Sequence, residues 1–281
     1  MTFASSLHSK SAIVKRFGLL RQARWRREEI GEIIVKGREQ IEIILHANSA
    51  RKFEHILVSN KFQDYEFLDS LRLRCRKIHK VEPSILYGIV YQSRPVLKTE
   101  FLKEESSVNL LEDVSVSDSL MLGSMVMPRF ELPNPLNLVL CLDGVIFPEN
   151  VGTLIRTAAS LGGVDAIVST TSSCDFHGWK VIEASKGYGF EIPKFQIRDS
   201  LTSFVNEHNL SPLIGNSNVA MSHGTPLSKP TIVIVGNERH GPSDAALSLP
   251  NAVHIRIPTS GEMTSLNAAV AGGLLLQMAK K

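Results

Sequence analysis

The sequence predicts an α/β protein of two domains, the second built on a parallel sheet. Three observations carry this. From Leu136 onward, the apolar runs "LNLVLCL", "DAIVST", "SPLIG", "TIVIVG" and "VHIRIP" alternate with helix-like segments. That alternation is the pattern of a parallel sheet with crossover helices. Residues 13–100 carry a second, smaller α/β rhythm, and the stretch 103–135 between them breaks it. A chain of 281 residues also exceeds one compact core. The expected layout is an N-terminal domain over 1–102 with a basic arm, a linker over 103–135 and a C-terminal domain over 136–281.

Taken in order, "REEIGEIIVKGREQIEIIL" gives a short apolar run, a turn at Lys36-Gly37 and a helix whose apolar stripe is Ile41, Ile44 and Leu45. "HILVS" and "ILYGIVYQ" read as strands. "KEESSVNLLEDVSVSDS" is acidic and Ser-rich, and "MPRFELPNP" holds three prolines that favour an extended chain. "LNLVLCL" is a continuous apolar run of the kind buried on both faces of a parallel sheet.

Hydrophobic residues make up 43% and charged residues 21%, the balance of an ordinary soluble domain. The longest apolar runs, Leu138–Leu142 and Ile232–Val235, are far shorter than a membrane span. Cys75, Cys141 and Cys174 lack paired metal-ligand spacing, so no zinc site is expected and a reducing compartment is. Net charge is only +3, but residues 1–27 hold seven Lys or Arg and no acid, and "LRLRCRKIHK" forms a second basic cluster. Such clusters suit phosphate contacts, and a solvated face explains them equally well. The basic, Ser-containing start also fits an organellar transit peptide. The expected location is cytoplasmic, with mitochondrion or plastid as the alternative.

Three segments carry candidate chemistry. In "FPENVGTLIRTAASLGG", Val151, Leu154, Ile155 and Ala158 form one apolar helix face, and Gly162 is placed as the stop. Asn150 sits where that helix begins, and Arg156 projects away from the apolar face. In "TIVIVGNERHGPS", a buried strand ends at Gly236, and Gly241 shares the spacing of a phosphate loop. Pro242-Ser243 replaces the Lys-Ser/Thr such a loop needs, which excludes a nucleotide-triphosphate site. In "RIPTSGEMTSLNAAVAGG", Ser265 is a candidate helix cap. Leu266, Ala269, Val270, Gly273 and Leu274 are its expected buried face. Two adjacent glycines in a helix each cost ~1 kcal/mol relative to Ala, so another backbone is expected to pass close by. No GxGxxG, Ser-His-Asp order or HExxH occurs. Taken singly, a turn, a cap and a solvated arginine explain these residues better than catalysis.

Together and in this order, the segments resemble the TrmH/SpoU branch of the SPOUT methyltransferases. The first family pattern, Asn-x-Gly-x-x-x-Arg-Thr-Ala, is matched by Asn150, Gly152, Arg156, Thr157 and Ala158. The second, Gly-x-Glu-x-x-Gly, is matched by Gly236, Glu238 and Gly241. The third is matched by Ile257, Pro258, Gly261, Ser265, Leu266 and Asn267. "EASKGYGFEIP" resembles a further segment through Ala184, Ser185 and Gly187. Residues 13–100 resemble, more weakly, an L30e-like RNA-binding domain.

The resemblance implies a C-terminal trefoil knot, an obligate homodimer and S-adenosyl-L-methionine as cofactor. It implies methyl transfer to a ribose 2′-OH of RNA, with rRNA favoured over tRNA and no metal. Arg156 would lie at the ribose, fixing phosphate and nucleophile, since a guanidinium rarely deprotonates. Asn150, Glu238, Ser265 and Asn267 would surround it. Gly236, Ile257 and Leu266 would offer backbone contacts to the cofactor. Phe147, Glu183, Thr259 and Ala269 depart from the family pattern, Glu183 by reversing a charge near the implied RNA path. A tRNA-directed enzyme and an inactive RNA-binding or ribosome-assembly homologue are the alternatives.

Overall fold

Runs rich in Val, Ile and Leu become the strands of two separate sheets in the computed structural model, which describes residues 4–91, 120–219, 230–260 and 265–280. The chain divides into two units, residues 1–127 with 177–183, and residues 128–176 with 184–281.

The first unit comprises β1 (Ala4–Leu7), α1 (Ala12–Gln22), α2 (Arg24–Ile30), β2 (Glu32–Lys36), α3 (Arg38–Ala47), β3 (Phe53–Ser59), α4 (Tyr65–Ser70), β4 (Cys75–Val81), α5 (Pro83–Tyr91) and β5 (Met121–Val126). Its sheet runs β1-β4-β3-β5-β2. The first three strands are parallel, and β5 runs antiparallel to both its neighbours. The stripe of Ile41, Ile44 and Leu45 is buried as expected.

Three expectations change here. "ILYGIVYQ" is helix α5 rather than a strand: Pro83 opens it, and Leu86, Ile89 and Val90 are buried at helical spacing. Much of the expected linker lies outside the described residues, but Met121–Val126 is a strand, buried as far as Met125. The basic arm is largely folded. Val14, Phe17 and Leu20 of α1 are core residues. Arg16 pairs with Glu32, Arg24 with Glu28 and Arg26 with Glu29. Buried Arg27 donates to the carbonyl of Leu20 at 2.7 Å. The second basic cluster likewise contains β4, where exposed Arg76 and Lys77 follow buried Cys75.

A row of polar groups crosses this first sheet. His79 on β4 is buried, and its Nε2 lies 3.1 Å from Nδ1 of His55 on β3. His55 stands opposite Ser124 of β5. Glu32 on β2 holds Arg16 through contacts of 2.7 and 3.1 Å. His79 Nδ1 and Ser124 Oγ are buried and make no hydrogen bond among the described residues. Burial, with help from neighbouring His55, pushes the His79 imidazole down to about 4.

The second unit contains β6 (Leu138–Asp143), α6 (Pro148–Leu161), β7 (Ala166–Ser169), β8 (Lys194–Gln196), α8 (Leu201–Glu207), β9 (Ser211–Gly215), β10 (Thr231–Gly236), α9 (Asp244–Leu247), β11 (Val253–Ile255) and α10 (Ala268–Ala279). Helix α7 (Trp179–Ala184) lies between β7 and β8 in the chain. The sheet is wholly parallel, in the order β11-β9-β10-β6-β7-β8. Every residue of β6 is buried. The strand order reverses between β6 and β10, and Gly236 pairs in register with Asp143 there. The carboxyl ends of two strands at such a reversal form the crevice where open α/β sheets take ligands.

Helix α6 forms as the spacing predicts. Val151, Leu154, Ile155 and Ala158 are buried, and Gly162 ends the helix at φ 67°. Helix α10 buries a different face from the one expected. Ala268, Ala269, Gly272, Leu275, Leu276 and Ala279 face the core, while Val270 and Leu274 are exposed. The reason for glycine is also different. A Cβ on Gly272 would meet Leu154 Cδ2 at 2.4 Å and Val235 Cγ2 at 2.9 Å. Side chains of α6 and β10, rather than another backbone, fill the space.

Candidate functional site

Asp143 and Gly236 lead into two loops that are stitched together. Asp143 Oδ2 accepts from Ser243 N at 2.7 Å, and Asn237 Nδ2 donates to the carbonyl of Gly144 at 2.7 Å. Gly144 N donates to Thr170 Oγ1 and Ser173 Oγ at 3.0 and 2.9 Å. The second loop closes on itself: the N–H of Asn237 and that of Gly241 each donate to the other's carbonyl at 2.9 Å. Asn237 Oδ1 also accepts from Arg239 N and His240 N. Gly236 is required by this fold-back, since a Cβ there would lie 2.2 Å from Pro242 N.

Glu238 projects from this clamped loop. Its carboxylate accepts from Ile146 N at 3.2 Å, Phe147 N at 3.1 Å and Asn150 Nδ2 at 2.9 Å. Burial alone would raise its pKa. The donors outweigh burial, Asn150 first and then backbone N–H groups, and hold it below the ordinary glutamate value. The carboxylate stays ionised and presents only acceptors.

That charge sets the direction of a chain of amides. A carboxylate can only accept, so Asn150 must turn its NH2 toward Glu238 and its oxygen away. Asn150 Oδ1 accepts from Asn267 Nδ2 at 2.9 Å. Asn267 Oδ1 then accepts from Ala269 N and Val270 N at 2.9 and 3.3 Å, capping α10. Residues separated by 88 and 117 positions are thereby joined in one hydrogen-bonded line.

The structure brings Asn150, Glu238 and Asn267 together. Ser265 is not the cap: Asn267 takes that role two residues later, and Ser265 is exposed with no hydrogen bond among the described residues. Gly261 lies outside the described residues. Arg156 is exposed on α6, its guanidinium carbon 5.8 Å from the centre of the Tyr188 ring. Gly236 sits at the strand end. Ile257 and Leu266 are half-buried, outside the regular elements, and make no backbone hydrogen bond among the described residues.

Sequence reasoning missed Asp143, Asn237 and Tyr188. A charged residue closing an apolar strand was the available signal for Asp143. Asn237 occupies an unspecified position inside the second motif, and nothing local marks its reach to Gly144.

Residues 137–277, half of the chain, match the model of the SpoU rRNA Methylase family. A 23S rRNA (guanosine(2553)-2'-O)-methyltransferase of Bacillus subtilis is 35% identical over 49% of this chain, which spans just over half (56%) of that protein's length. An uncharacterized tRNA/rRNA methyltransferase of Synechocystis is 25% identical over 99% of this chain and 94% of its own. The fold matches that of a SpoU methyltransferase of Streptomyces viridochromogenes, solved with AdoMet, at a TM-score of 0.74 and 20% identity, over 96% of this chain and 97% of that one. An rRNA methyltransferase from Sinorhizobium meliloti matches at 0.71 and 20% identity, over 97% and 95%.

Proposed function

Because the chain belongs to the SpoU rRNA methylase family, we propose that it transfers a methyl group from S-adenosyl-L-methionine to a ribose 2′-OH of RNA, with ribosomal RNA as the substrate. The observation that carries this is the single hydrogen-bonded line through Asn150, Glu238 and Asn267, which draws three separate sequence motifs to one strand-end crevice.

The residues fit the cofactor by their donor chemistry. The backbone groups of Ile257 and Leu266, which make no backbone hydrogen bond among the described residues, would hold the cofactor together with Gly236 at the end of its strand. When bound, the cofactor supplies an electrophilic methyl on a sulfonium. The chain's own residues do the rest. Glu238 locks the 144–147 loop and orients Asn150. Asn150 in turn fixes Asn267 and the first turn of α10. Arg156, exposed and cationic, binds the phosphate beside the target ribose and holds its hydroxyl for attack, a gain from orientation and charge stabilisation. Ser265 stands at the edge of this group as a further contact to substrate.

The reading carries the knot and the homodimer with it. Val270, Leu274 and Met278 recur every four residues along α10 and are 53%, 44% and 38% exposed. That stripe supports burial against a second copy. Cys75, Cys141 and Cys174 form no disulfide among the described residues, which supports a reducing compartment such as the cytoplasm. Among the described residues no helix is long and apolar enough to cross a membrane.

The test is to map 2′-O-methyl sites in total RNA from cells with and without the protein. Loss of one or more rRNA sites is the expected result. Loss of tRNA sites alone would reassign the substrate, and no change at any ribose would refute the activity. Sedimentation of the pure protein checks the dimer, which a Leu274→Glu variant is expected to dissociate.

A further inference from the structure

Tyr188 is an exposed aromatic ring on a rigid loop beside the arginine read as catalytic. The ring is 44% exposed, whereas Phe190, two residues on, is only 6% exposed and anchors the segment. The loop is built from unusual backbone: Lys186, Gly187 and Gly189 all have positive φ, at 56°, 77° and 77°. A left-handed conformation at a lysine is held only when surrounding contacts fix it. Those contacts are present. Tyr188 N donates to the carbonyl of Ser185 at 3.0 Å, and Ile192 N to that of Gly189 at 3.2 Å. Gly189 lies so close to α6 that a Cβ would stand 2.3 Å from Ile155 Cγ2. Ile155 precedes Arg156, so the loop is pinned one residue from the guanidinium. The ring and that guanidinium lie 5.8 Å apart, within cation–π reach.

We propose that Tyr188 is a stacking platform for a nucleobase of the RNA substrate, either the base of the methylated nucleotide or its immediate neighbour. The inference rests on the reading of Arg156 as the group at the target ribose and names how the nucleotide is presented to it. An aromatic face accepts any base, and a cation beside it matches the phosphate that follows each base. The rigid loop means that the ordering cost of the ring is met before RNA arrives. Tyr188 is thus a binding and positioning residue.

The experiment measures methyl transfer from labelled S-adenosyl-L-methionine to total RNA purified from cells lacking the protein. Wild type is compared with Tyr188→Phe and Tyr188→Ala. Base–aromatic stacking is worth enough that Tyr188→Ala should raise the KM for RNA roughly tenfold or more. Tyr188→Phe, which keeps the ring, should stay within about twofold of wild type. Cofactor affinity by calorimetry and sedimentation should be unchanged in both. The proposal is overturned if Tyr188→Ala retains the wild-type KM, if Tyr188→Phe fails as badly as Tyr188→Ala, or if either variant loses cofactor binding or the assembly state. Wild-type protein that methylates no RNA would remove the function itself, and this platform with it. An active wild type with an indifferent Tyr188→Ala would remove the platform alone.

Discussion

The two units place their polar side chains differently. In the first, polar side chains lie in mid-sheet: His79 and Ser124 are buried on central strands and each leaves an atom without a partner among the described residues. In the second, Asp143, Asn150, Glu238 and Asn267 gather at strand ends and helix starts, and each bonds to a named partner. A lone buried imidazole costs stability once it is charged. A satisfied network instead fixes geometry. The contrast teaches that the second unit is built to hold a site and the first carries a latent acid sensitivity.

The sharpest test of the contrast is Arg156→Ala. It should reduce methyl transfer by about a thousandfold, ~4 kcal/mol of barrier, while both units keep their stability. Cofactor affinity should stay within a few-fold by calorimetry, and a large loss there would contradict the substrate-facing role. Next is Gly236→Ala, which forces a methyl against backbone atoms that cannot swing away. It should destabilise the second unit by about 3 kcal/mol in urea titrations, with first-unit amides unaffected in hydrogen exchange.

The acid responses of the two units should separate. His79 has a folded pKa of about 4 against an ordinary 6.5. The unfolded chain therefore binds its proton first, so first-unit stability is full above pH 6.5 and falls as pH drops toward 4. Glu238 has a lowered folded pKa. Its stabilisation is present above the ordinary glutamate value of 4.5 and is lost only below it. Hydrogen exchange read separately for the two units between pH 7 and 5 should show the first loosening alone, by about 2 kcal/mol. His79→Gln should flatten that slope. Parallel loosening of both units would break the comparison.

The smallest effects lie within α10. Gly272→Ala meets Leu154 and Val235 below 3 Å and should cost about 2 kcal/mol. Gly273→Ala meets only Thr157 Cγ2 at 3.3 Å. Its gain in helix propensity, ~1 kcal/mol, should offset that contact and leave thermal stability nearly unchanged.

The same contrast governs what the sequence made legible. "LVLCL" within "LNLVLCL" forms β6 up to its last residue and "TIVIVG" coincides with β10, because continuous apolar runs have few alternative structures. The first unit's elements are half-polar or short. β4 hides inside a basic cluster, and α5 resembles a strand by composition because Ile, Val and Tyr crowd it. In the site, Asn150, Glu238 and Asn267 were visible as motif residues. Their order along one line was not, since it depends on bonds across 88 and 117 positions. The cap of α10 went to Asn267 because its oxygen reaches two N–H groups at once.

The amide line from Glu238 to α10 has one more property, which is parity. Its two ends are fixed in sense, a carboxylate that only accepts and two backbone N–H groups that only donate. Between them each amide must pass the sense along unaltered. Replace Asn267 with Asp, and an oxygen faces Asn150 Oδ1. Rotate Asn150 to repair that clash, and its oxygen faces Glu238 instead. No rotation removes the mismatch; it only moves from one joint to the next. A change of one NH2 to O beside α10 is thus felt at the carboxylate two residues away along the line, although Asn267 and Glu238 share no direct hydrogen bond among those described.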